Sequence, residues 1–521
     1  LPVNTVESNI RVLFRRPPIC GLALVILLTA SMRIEPLTSA VLDPDLWWHL
    51  RDADYVLSHH RVPHASLFTQ YFNPAYVDYS WGSEIVISSF YHLFGLIGLV
   101  ALRSGLEVLI TILLFLLLHR GLRSFWQALP LAAAGMWAIH HCLGLQPMLF
   151  SVLMFLIELS LIFEARRKNK IWLLWCLPPL FLVWANLHIQ FIYGLFVLFL
   201  LAGARLVRAS LPASFSSRIE PANDLPLKYV LGSAVVSAVA TLVGPYSWRL
   251  YGVIFGYVRS SAPYAIITEL QALTFRAPEH YVLLLIVAAG FFALGWRRCR
   301  DPFLLALLIA CTVVGFRMTR DSWFCCLPAL AVISDRRLSI AEDSPTPVPR
   351  RVFFAAAVAL LTMLMFVVIA WDTKTNNESL ARAVASEYPA QACNFLRSYW
   401  PRSPLYNEMN WGGFLIWALP DTPVAIDNRT DLYGDQRLSR FYLVQRGMMD
   451  WRNDPDLSAA RVVLLGRNSQ LAALLTTDSR FHVIYEDSLA VILSHDEAPA
   501  QASRDHAALK PVKRVQHRTE P

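Results

Sequence analysis

The sequence predicts a polytopic α-helical membrane protein that carries a soluble α/β domain in its carboxy-terminal part. Three observations carry this. Of 521 residues, 55% are hydrophobic and only 16% are charged, and the mean hydropathy is +0.44, a balance that suits lipid better than water. Apolar segments recur from Ile19 to about residue 371, separated by short polar or basic stretches. From about residue 375 the chain turns polar, and short β-branched runs alternate with helical patterns.

The first apolar run, Ile19–Met32, follows a basic stretch with Arg11, Arg15, Arg16 and two prolines. A signal peptide begins in this way too. No convincing small-residue cleavage site follows, and the next loop looks integral to the protein, so an uncleaved first helix with a cytoplasmic amino terminus is expected. That places loop 33–83 outside. Further apolar segments lie near 84–102, 104–118, 126–141, 147–163, 171–184, 187–204, 228–243, 280–295, 302–316, 322–334 and 352–371. Several are shorter than the roughly 20 residues an upright span requires.

Charge orients these segments. With the basic stretches 164–170, 205–228, 297–300 and 336–351 in the cytoplasm, residues 142–147, 185–188, 244–279 and 317–321 fall outside. The carboxy-terminal domain falls outside as well. The basic stretch 119–123 breaks the pattern, because two crossings between 84 and 118 would return it to the outer side. Either one of those segments is interfacial or re-entrant, or the charge rule misleads there. The expectation is about 11 to 13 crossings of a cytoplasmic (inner) membrane.

Three parts follow: a membrane domain over 1–372 that includes loop 33–83, an extracytoplasmic α/β domain over 373–496, and a disordered basic tail over 497–521. Residues 337–350 form a Pro/Ser/Asp-rich linker. Segment 244–279 is too polar to span and reads as amphipathic, with Arg249, Tyr251, Arg259, Glu269 and Arg276 toward water or headgroups. In the soluble part, residues 403–407, 412–418, 422–427 and 461–465 read as strands, and 482–485 with 489–493 as a hairpin around Asp487 and Ser488. Helices are expected near 379–397, 435–448 and 467–476.

Composition also excludes functions. The net charge of +8 is explained by cytoplasmic loops, and no basic patch with stacking aromatics stands outside the apolar spans, so no nucleic acid partner is expected. The eight cysteines show no CxxC pair and no framework spacing, and they read as small buried hydrophobes. Sixteen Trp and eighteen Tyr suit interfacial aromatic belts.

AspProAspLeuTrpTrpHis (43–49) is the densest chemical signal. A carboxylate at a membrane surface can take a proton from an acceptor hydroxyl, and two hard oxygens in Asp-x-Asp can also hold a divalent metal ion. Alternatively Asp43 and Asp45 cap the helix that starts at Leu46. His49, His59, His60 and His64 lack zinc spacing, and Pro63 breaks any helix aligning the last two. TrpAlaAsnLeuHisIleGln (184–190) puts Asn186, His188 and Gln190 at an outer helix junction, for sugar or phosphate binding or for tying helices together. HisHisCysLeuGlyLeuGlnPro (140–147) is similar. Trp411 beside two glycines offers a carbohydrate-stacking face, while Asp427, Arg429 and Asp431 make a buried charge network that shapes a turn.

The order of motifs in the first loop is AspProAsp (43–45), a Trp47–His59 helix, ArgValProHis (61–64), AspTyrSerTrpGlySerGlu (78–84), LeuPheGly (93–95) and AlaLeuArg (101–103). This order resembles the first extracytoplasmic loop of the GT-C membrane glycosyltransferases, over about the first 200 residues and in the topology beyond. Asp45-Leu46 and Ser80-Trp81-Gly82 stand where better-known members carry Asp-Glu and Lys-Pro-Pro. The series Tyr406-Asn407, Trp411-Gly412-Gly413, Asp427-x-Arg429-x-Asp431-x-Tyr433-Gly434 resembles the tail domain of large bacterial membrane proteins with a GT-C-like bundle.

The resemblance implies transfer of a sugar from a polyprenyl-phosphate donor to an acceptor at the outer face, with inversion. The acceptor is a glycan, lipid or protein, and membrane lipid surrounds the site. It assigns Asp45, with Asp43 beside it, as base or metal ligand. Arg51, Arg317 and Arg320 become candidates for the phosphate, since guanidinium pairs bidentately with it, and His49 becomes a further substrate-binding candidate. Asn186, His188 and Trp411 become candidates for the sugar or phosphate. The competing reading is a non-catalytic scaffold on the same bundle whose outer domain binds a protein or glycan. A transporter ranks third, because no inverted repeat with paired broken helices is visible.

Overall fold

The computed structural model describes residues 17–69, 75–212, 225–335, 352–400 and 404–496. Arg11, Arg15 and Arg16, the 337–350 linker and the 497–521 tail lie outside the described residues. In chain order the helices are α1 (Pro17–Arg33), α2 (Leu46–His59), α3 (Trp81–Phe94), α4 (Leu96–Leu122), α5 (Phe125–Ile139), α6 (Pro147–Lys168), α7 (Leu177–Leu187) and α8 (Phe191–Ser210). Then come α9 (Leu227–Ala240), α10 (Arg249–Arg259), α11 (Ala262–Ile266), α12 (Pro278–Trp296), α13 (Pro302–Arg317), α14 (Trp323–Ser334) and α15 (Val352–Asp372). The remainder is α16 (Asn377–Glu387), α17 (Ala390–Tyr399), β1 (Leu405–Asn407), α18 (Gly412–Ala418), α19 (Thr430–Gln445), α20 (Pro455–Ala459), β2 (Val462–Gly466), α21 (Gln470–Leu475), β3 (Phe481–Glu486) and β4 (Ala490–His495).

These elements form two compact units. The first holds residues 1–43, 78–255 and 267–380, and the second holds 44–77, 256–266 and 381–521. The division therefore does not follow the composition change near 372. The loop helix α2 and the short α11 pack with the carboxy-terminal elements.

The first unit is a helical bundle. Among the described residues, five helices are long and apolar enough to cross a membrane: Leu96–Leu122, Pro147–Lys168, Phe191–Ser210, Pro278–Trp296 and Phe354–Asp372. Shorter apolar helices accompany them, at Pro18–Arg33, Ile171–Leu187, Leu227–Ala240 and Pro302–Arg317. This is a multi-pass membrane protein. At its centre α14 is apolar all round and buried from Trp323 to Val332, as a helix must be when neighbours cover every face. It packs against α4, α5, α6, α12 and α13.

The segments 84–102 and 104–118 are not two spans divided at Arg103. The structure has α3, 14 residues, and then α4, an unbroken 27. At 1.5 Å per residue these measure about 21 and about 40 Å, against a hydrocarbon core of about 30 Å, so only α4 has the length to cross. The start of α3 lies on Asn186 and Leu187, and its end at Gly95 lies on Asn377. From there α4 runs to Gly121, which approaches the Ser334 carbonyl. That end also gathers the basic stretches. Arg166 Nη2 pairs with Asp301 at 2.6 Å, and Arg297 donates to the carbonyls of Ile333 and Asp335, both at 2.7 Å. The eight cysteines are thiols, and six of them are buried.

In the second unit a four-stranded sheet runs in the order β1-β2-β4-β3, parallel only between β1 and β2. The hairpin at Asp487 is present, and its carboxylate accepts from the N–H groups of Leu489 (2.8 Å) and Ala490 (2.7 Å). Residues 412–418, expected as a strand, are helix α18, because Gly412 and Gly413 let it lie against the backbone of Ile426 and Pro44. The 422–427 run contributes a single bridge, Val424 to Thr69, and the 379–397 helix is broken at Pro389. Short apolar runs carry no period that separates strand from buried helix.

Helix α2 presents Leu46, Trp47, Leu50, Ala53 and Val56 as a buried stripe. It ends where His60 takes φ 52° and its N–H bonds to Val56. Its partner is α18. Trp47 meets Phe414 edge-on at 5.2 Å and Trp417 at 4.8 Å, with Tyr388 at 5.8 Å. Burying an indole of that size stabilises the docking by on the order of 4 kcal/mol.

Close helix approach makes a direct test. A Cβ on Gly82 would stand 2.5 Å from the Asn186 carbonyl oxygen, whereas nothing lies within 4 Å of one on Gly203. Gly82→Ala is expected to destabilise by about 1–3 kcal/mol. Gly203→Ala, in the exposed middle of α8, should be neutral or stabilise by up to about 1 kcal/mol. Thermal unfolding of the detergent-solubilised protein measures both.

Candidate functional site

At the end of the first unit opposite the basic stretches, four segments bring polar side chains together. The chain leaving α1 makes a tight turn over Leu37–Val41 and is pinned to α4 by Arg103. This guanidinium, 1% exposed, donates to the Pro36 carbonyl at 3.2 Å and to the Ser39 hydroxyl, and its Nε meets Glu107 at 3.1 Å. Asp43 follows directly. Gln146, held extended just before Pro147 starts α6, donates its amide N–H to Asp43 Oδ2 at 2.6 Å. Its Oε1 accepts from Arg320 Nη2 at 3.2 Å, and Arg320 Nη1 meets Glu269 Oε1 at 3.0 Å. The result is a row, Asp43–Gln146–Arg320–Glu269, half-buried at Asp43, Arg320 and Glu269.

Behind the row lie buried groups from the α7–α8 and α13–α14 junctions. Asp321 accepts from Gln190 Nε2 at 2.8 Å and from the Tyr193 hydroxyl. Burial pushes its carboxyl up to about 6, against the Tyr193 hydrogen bond and the Arg320 charge. Ser151 accepts from the Trp184 indole at 2.9 Å and lies 2.9 Å from His188 Nδ1, so the two buried side chains are joined by one hydrogen bond. Burial and the nearby Arg320 charge hold the His188 imidazole down to about 3, which leaves it neutral at pH 7. Chemically, the assembly offers a carboxylate and a guanidinium coupled through one amide, backed by the buried carboxyl of Asp321 and by the neutral His188.

The sequence-derived candidates divide between the units. Asp43, His188 and Arg320 belong to this site. Asn186 lies nearby, but its amide donates to the carbonyls of Leu182 and Val243 and accepts from Trp81, so it ties helices together. Arg317 is exposed at the end of α13. Asp45, His49, Arg51 and Trp411 belong to the second unit. Asp45 occupies the cap position of α2 without a side-chain cap bond, and its Oδ1 accepts from the Trp48 indole at 3.1 Å. His49 is buried with its ring 3.6 Å from that of Trp48. The Arg51 guanidinium sits 6.0 Å from the Phe68 ring centre. Trp411 is buried and donates to the Glu387 carbonyl at 3.1 Å, which leaves no open ring face.

For a divalent ion the fit is poor. Asp43 and Asp45 each already accept from a protein N–H, and among the described residues no group of three or more His, Cys, Asp or Glu side chains could hold a metal.

No protein-family model and no curated protein matches the sequence. Among solved structures, the archaeal oligosaccharyltransferase AglB from Archaeoglobus fulgidus, in complex with an inhibitory peptide and a dolichol-phosphate, is similar over 86% of this chain and 69% of its own. The identity is 12% and the TM-score 0.52. The apo form of the A. fulgidus oligosaccharyltransferase gives a TM-score of 0.50 at 13% identity over the same shares. The fold is of the GT-C type. ArnT from Cupriavidus metallidurans bound to undecaprenyl phosphate aligns over 93% of this chain and 99% of its own, at 15% identity and a TM-score of 0.41. At such identities the likeness concerns the path of the GT-C backbone and says nothing of individual side chains.

On that fold, sequence reasoning missed the connecting groups. Gln146 closes the polar stretch 140–147, Glu269 was expected to face only water or headgroups, and Asp321 precedes an apolar run. A second omission lies in the other unit. Asp52 of α2, 1% exposed, accepts from the Tyr76 hydroxyl at 2.9 Å and lies 3.9 Å from Arg429 Nη1. Arg429 forks onto Asp427 at 3.0 and 2.8 Å. Burial works against the Asp427 charge, yet Arg429 holds its carboxyl below the usual range. At Asp52 burial wins and pushes the carboxyl up to about 6.

A folded-state value above the unfolded one of about 4 means the Asp52 contribution is fully present below pH 4 and is lost as pH rises through about 6. Asp52→Asn, which cannot ionise, should therefore gain melting temperature relative to the parent between pH 4 and 7. A scan of both proteins across that range measures the difference, and a difference that stays flat would contradict it.

Proposed function

We propose that this chain is an integral membrane glycosyltransferase that moves a sugar from a polyprenyl-phosphate donor to an acceptor at the outer face of the cytoplasmic membrane. The observation that carries the reading is the link Asp43–Gln146–Arg320, formed at a bundle end in a GT-C fold. A lipid-phosphate donor requires a cation at the membrane rim, and an acceptor hydroxyl requires a carboxylate within reach of it. The AglB structure with dolichol-phosphate supports a polyprenyl phosphate as the donor's lipid.

In this reading Arg320 pairs with the donor phosphate and neutralises charge as it leaves. Asp45 or its neighbour Asp43 accepts the proton of the acceptor hydroxyl. The acceptor oxygen bonds to the anomeric carbon from the face opposite the phosphate, the carbon–oxygen bond to phosphate breaks, and polyprenyl phosphate departs. His188, neutral, is an acceptor or donor for a sugar hydroxyl.

The test uses purified protein, tritiated undecaprenyl-phosphate mannose and undecaprenyl-phosphate glucose as donors, and a membrane lipid extract as acceptor. Replacing the base, in Asp45→Asn or Asp43→Asn, should lower turnover roughly 10²- to 10⁴-fold without loss of folding. Arg320→Lys should chiefly raise the donor KM, because an ammonium cannot fork onto phosphate. Undiminished transfer in both Asn variants would remove the proposed chemistry and leave the scaffold reading.

A further inference from the structure

Helix α2 carries Asp45 at its start, yet what holds that helix comes from the carboxy-terminal part of the chain. Two contacts in the second unit matter most. At Gly413 a side chain would collide with the Pro44 carbonyl oxygen and stand 3.1 Å from Trp48 Cδ1, so α18 lies directly on the backbone that precedes Asp45. Only glycine permits this approach. Two turns further along, Asp52 faces Arg429, whose guanidinium lies 5.6 Å from the Trp48 ring, 5.4 Å from Phe68 and 5.3 Å from Tyr76. Trp48 is the residue whose indole N–H donates to Asp45. Arg429 thus reaches Asp45 through one intervening side chain, and Gly413 reaches it through one peptide group.

We infer that Gly413 and Arg429 are positioning residues: they set the place of Pro44–Asp45 and the orientation of the Asp45 carboxylate. This rests on the glycosyl-transfer reading above, with Asp45 as the base. The fixed order of contacts explains why the guanidinium is forked rigidly on Asp427, with Tyr433 donating to the same carboxylate at 2.8 Å. A cation held at both ends of its fork cannot follow thermal motion of α2, so α2 must conform to it. Lysine keeps the charge and loses the fork.

The experiment compares Arg429→Lys and Gly413→Ala, each alone and combined with Asp45→Asn, in the transfer assay with undecaprenyl-phosphate mannose and undecaprenyl-phosphate glucose. Each single variant should lower turnover roughly 10- to 100-fold, the cost of a slightly misplaced reacting group, with the donor KM unchanged. Neither should lower the residual rate of Asp45→Asn further, because a residue that acts through Asp45 has nothing left to act on. Equal losses with and without Asp45, or losses in KM alone, would overturn the inference and leave a purely structural role. Hydrogen exchange in peptides over 46–59 is the second readout, and it should speed up in both variants while peptides over α12–α14 stay unchanged. If Asp45→Asn keeps full transfer, the glycosyl-transfer reading at Asp45 fails. Unaltered exchange over 46–59 would instead sink the mechanical link whatever the assay shows.

Discussion

Arg103 lies inside a 27-residue apolar helix, where an unpaired guanidinium would cost several kcal/mol and far more by some measures. The chain meets that charge with Glu107 one turn on, and with the Pro36 carbonyl and Ser39 hydroxyl of the turn that follows α1. Pairing a buried charge is unavoidable; using backbone from a distant loop to do it has a consequence. The loop loses its freedom, and Asp43, four residues past Ser39, starts from a fixed point. In the second unit Arg429 plays the same part for α2, with Asp427 as primary partner and Asp52 and three aromatic rings beyond it. In each unit, a desolvated arginine organises the segment that leads to or carries an acidic candidate.

Most of the helical plan was legible because hydropathy is a local property and each span declares itself over its own length. Arg103 shows where that fails. A charge between two apolar runs reads as a break, yet its partner Glu107 lies in the next turn of the same helix, and the pair lets one helix run through. The strand expected at 412–418 fails for a related reason. GlyGlyPheLeuIleTrpAla has no period long enough to decide, and the decision comes from Pro44 and Ile426, each distant in sequence.

The site was legible in part, and the division is physical. Asp43, Arg320 and His188 belong to residue types that are costly to bury among apolar helices, so their presence is itself a signal. Gln146, which joins two of them, is neutral and common, and nothing about a glutamine before a proline announces a partner 103 positions away. Trp411 and Asn186 show the reverse error. The ring of Trp411 and the amide of Asn186 looked available because the sequence reveals neither the burial of the indole nor the carbonyls of Leu182 and Val243 that the amide meets.

The acidic motif is also where the chain passes from one unit to the other, between Asp43 and Pro44. Two residues of extended chain span at most about 7 Å, so the carboxylates are close in the chain, and each has a hydrogen bond of its own. Asp43 answers to Gln146 and, through it, to the helix junctions of the bundle. Asp45 answers to Trp48, and through α2 to Gly413 and Arg429. A disturbance at Gly413 or Arg429, in the carboxy-terminal domain, therefore bears on Asp45 through Pro44 and Trp48. If the reaction needs only Asp43, that domain is free to vary without loss of turnover; if it needs Asp45, the domain is bound into the chemistry, and the packing of a glycine against Pro44 becomes as consequential as the carboxylate itself.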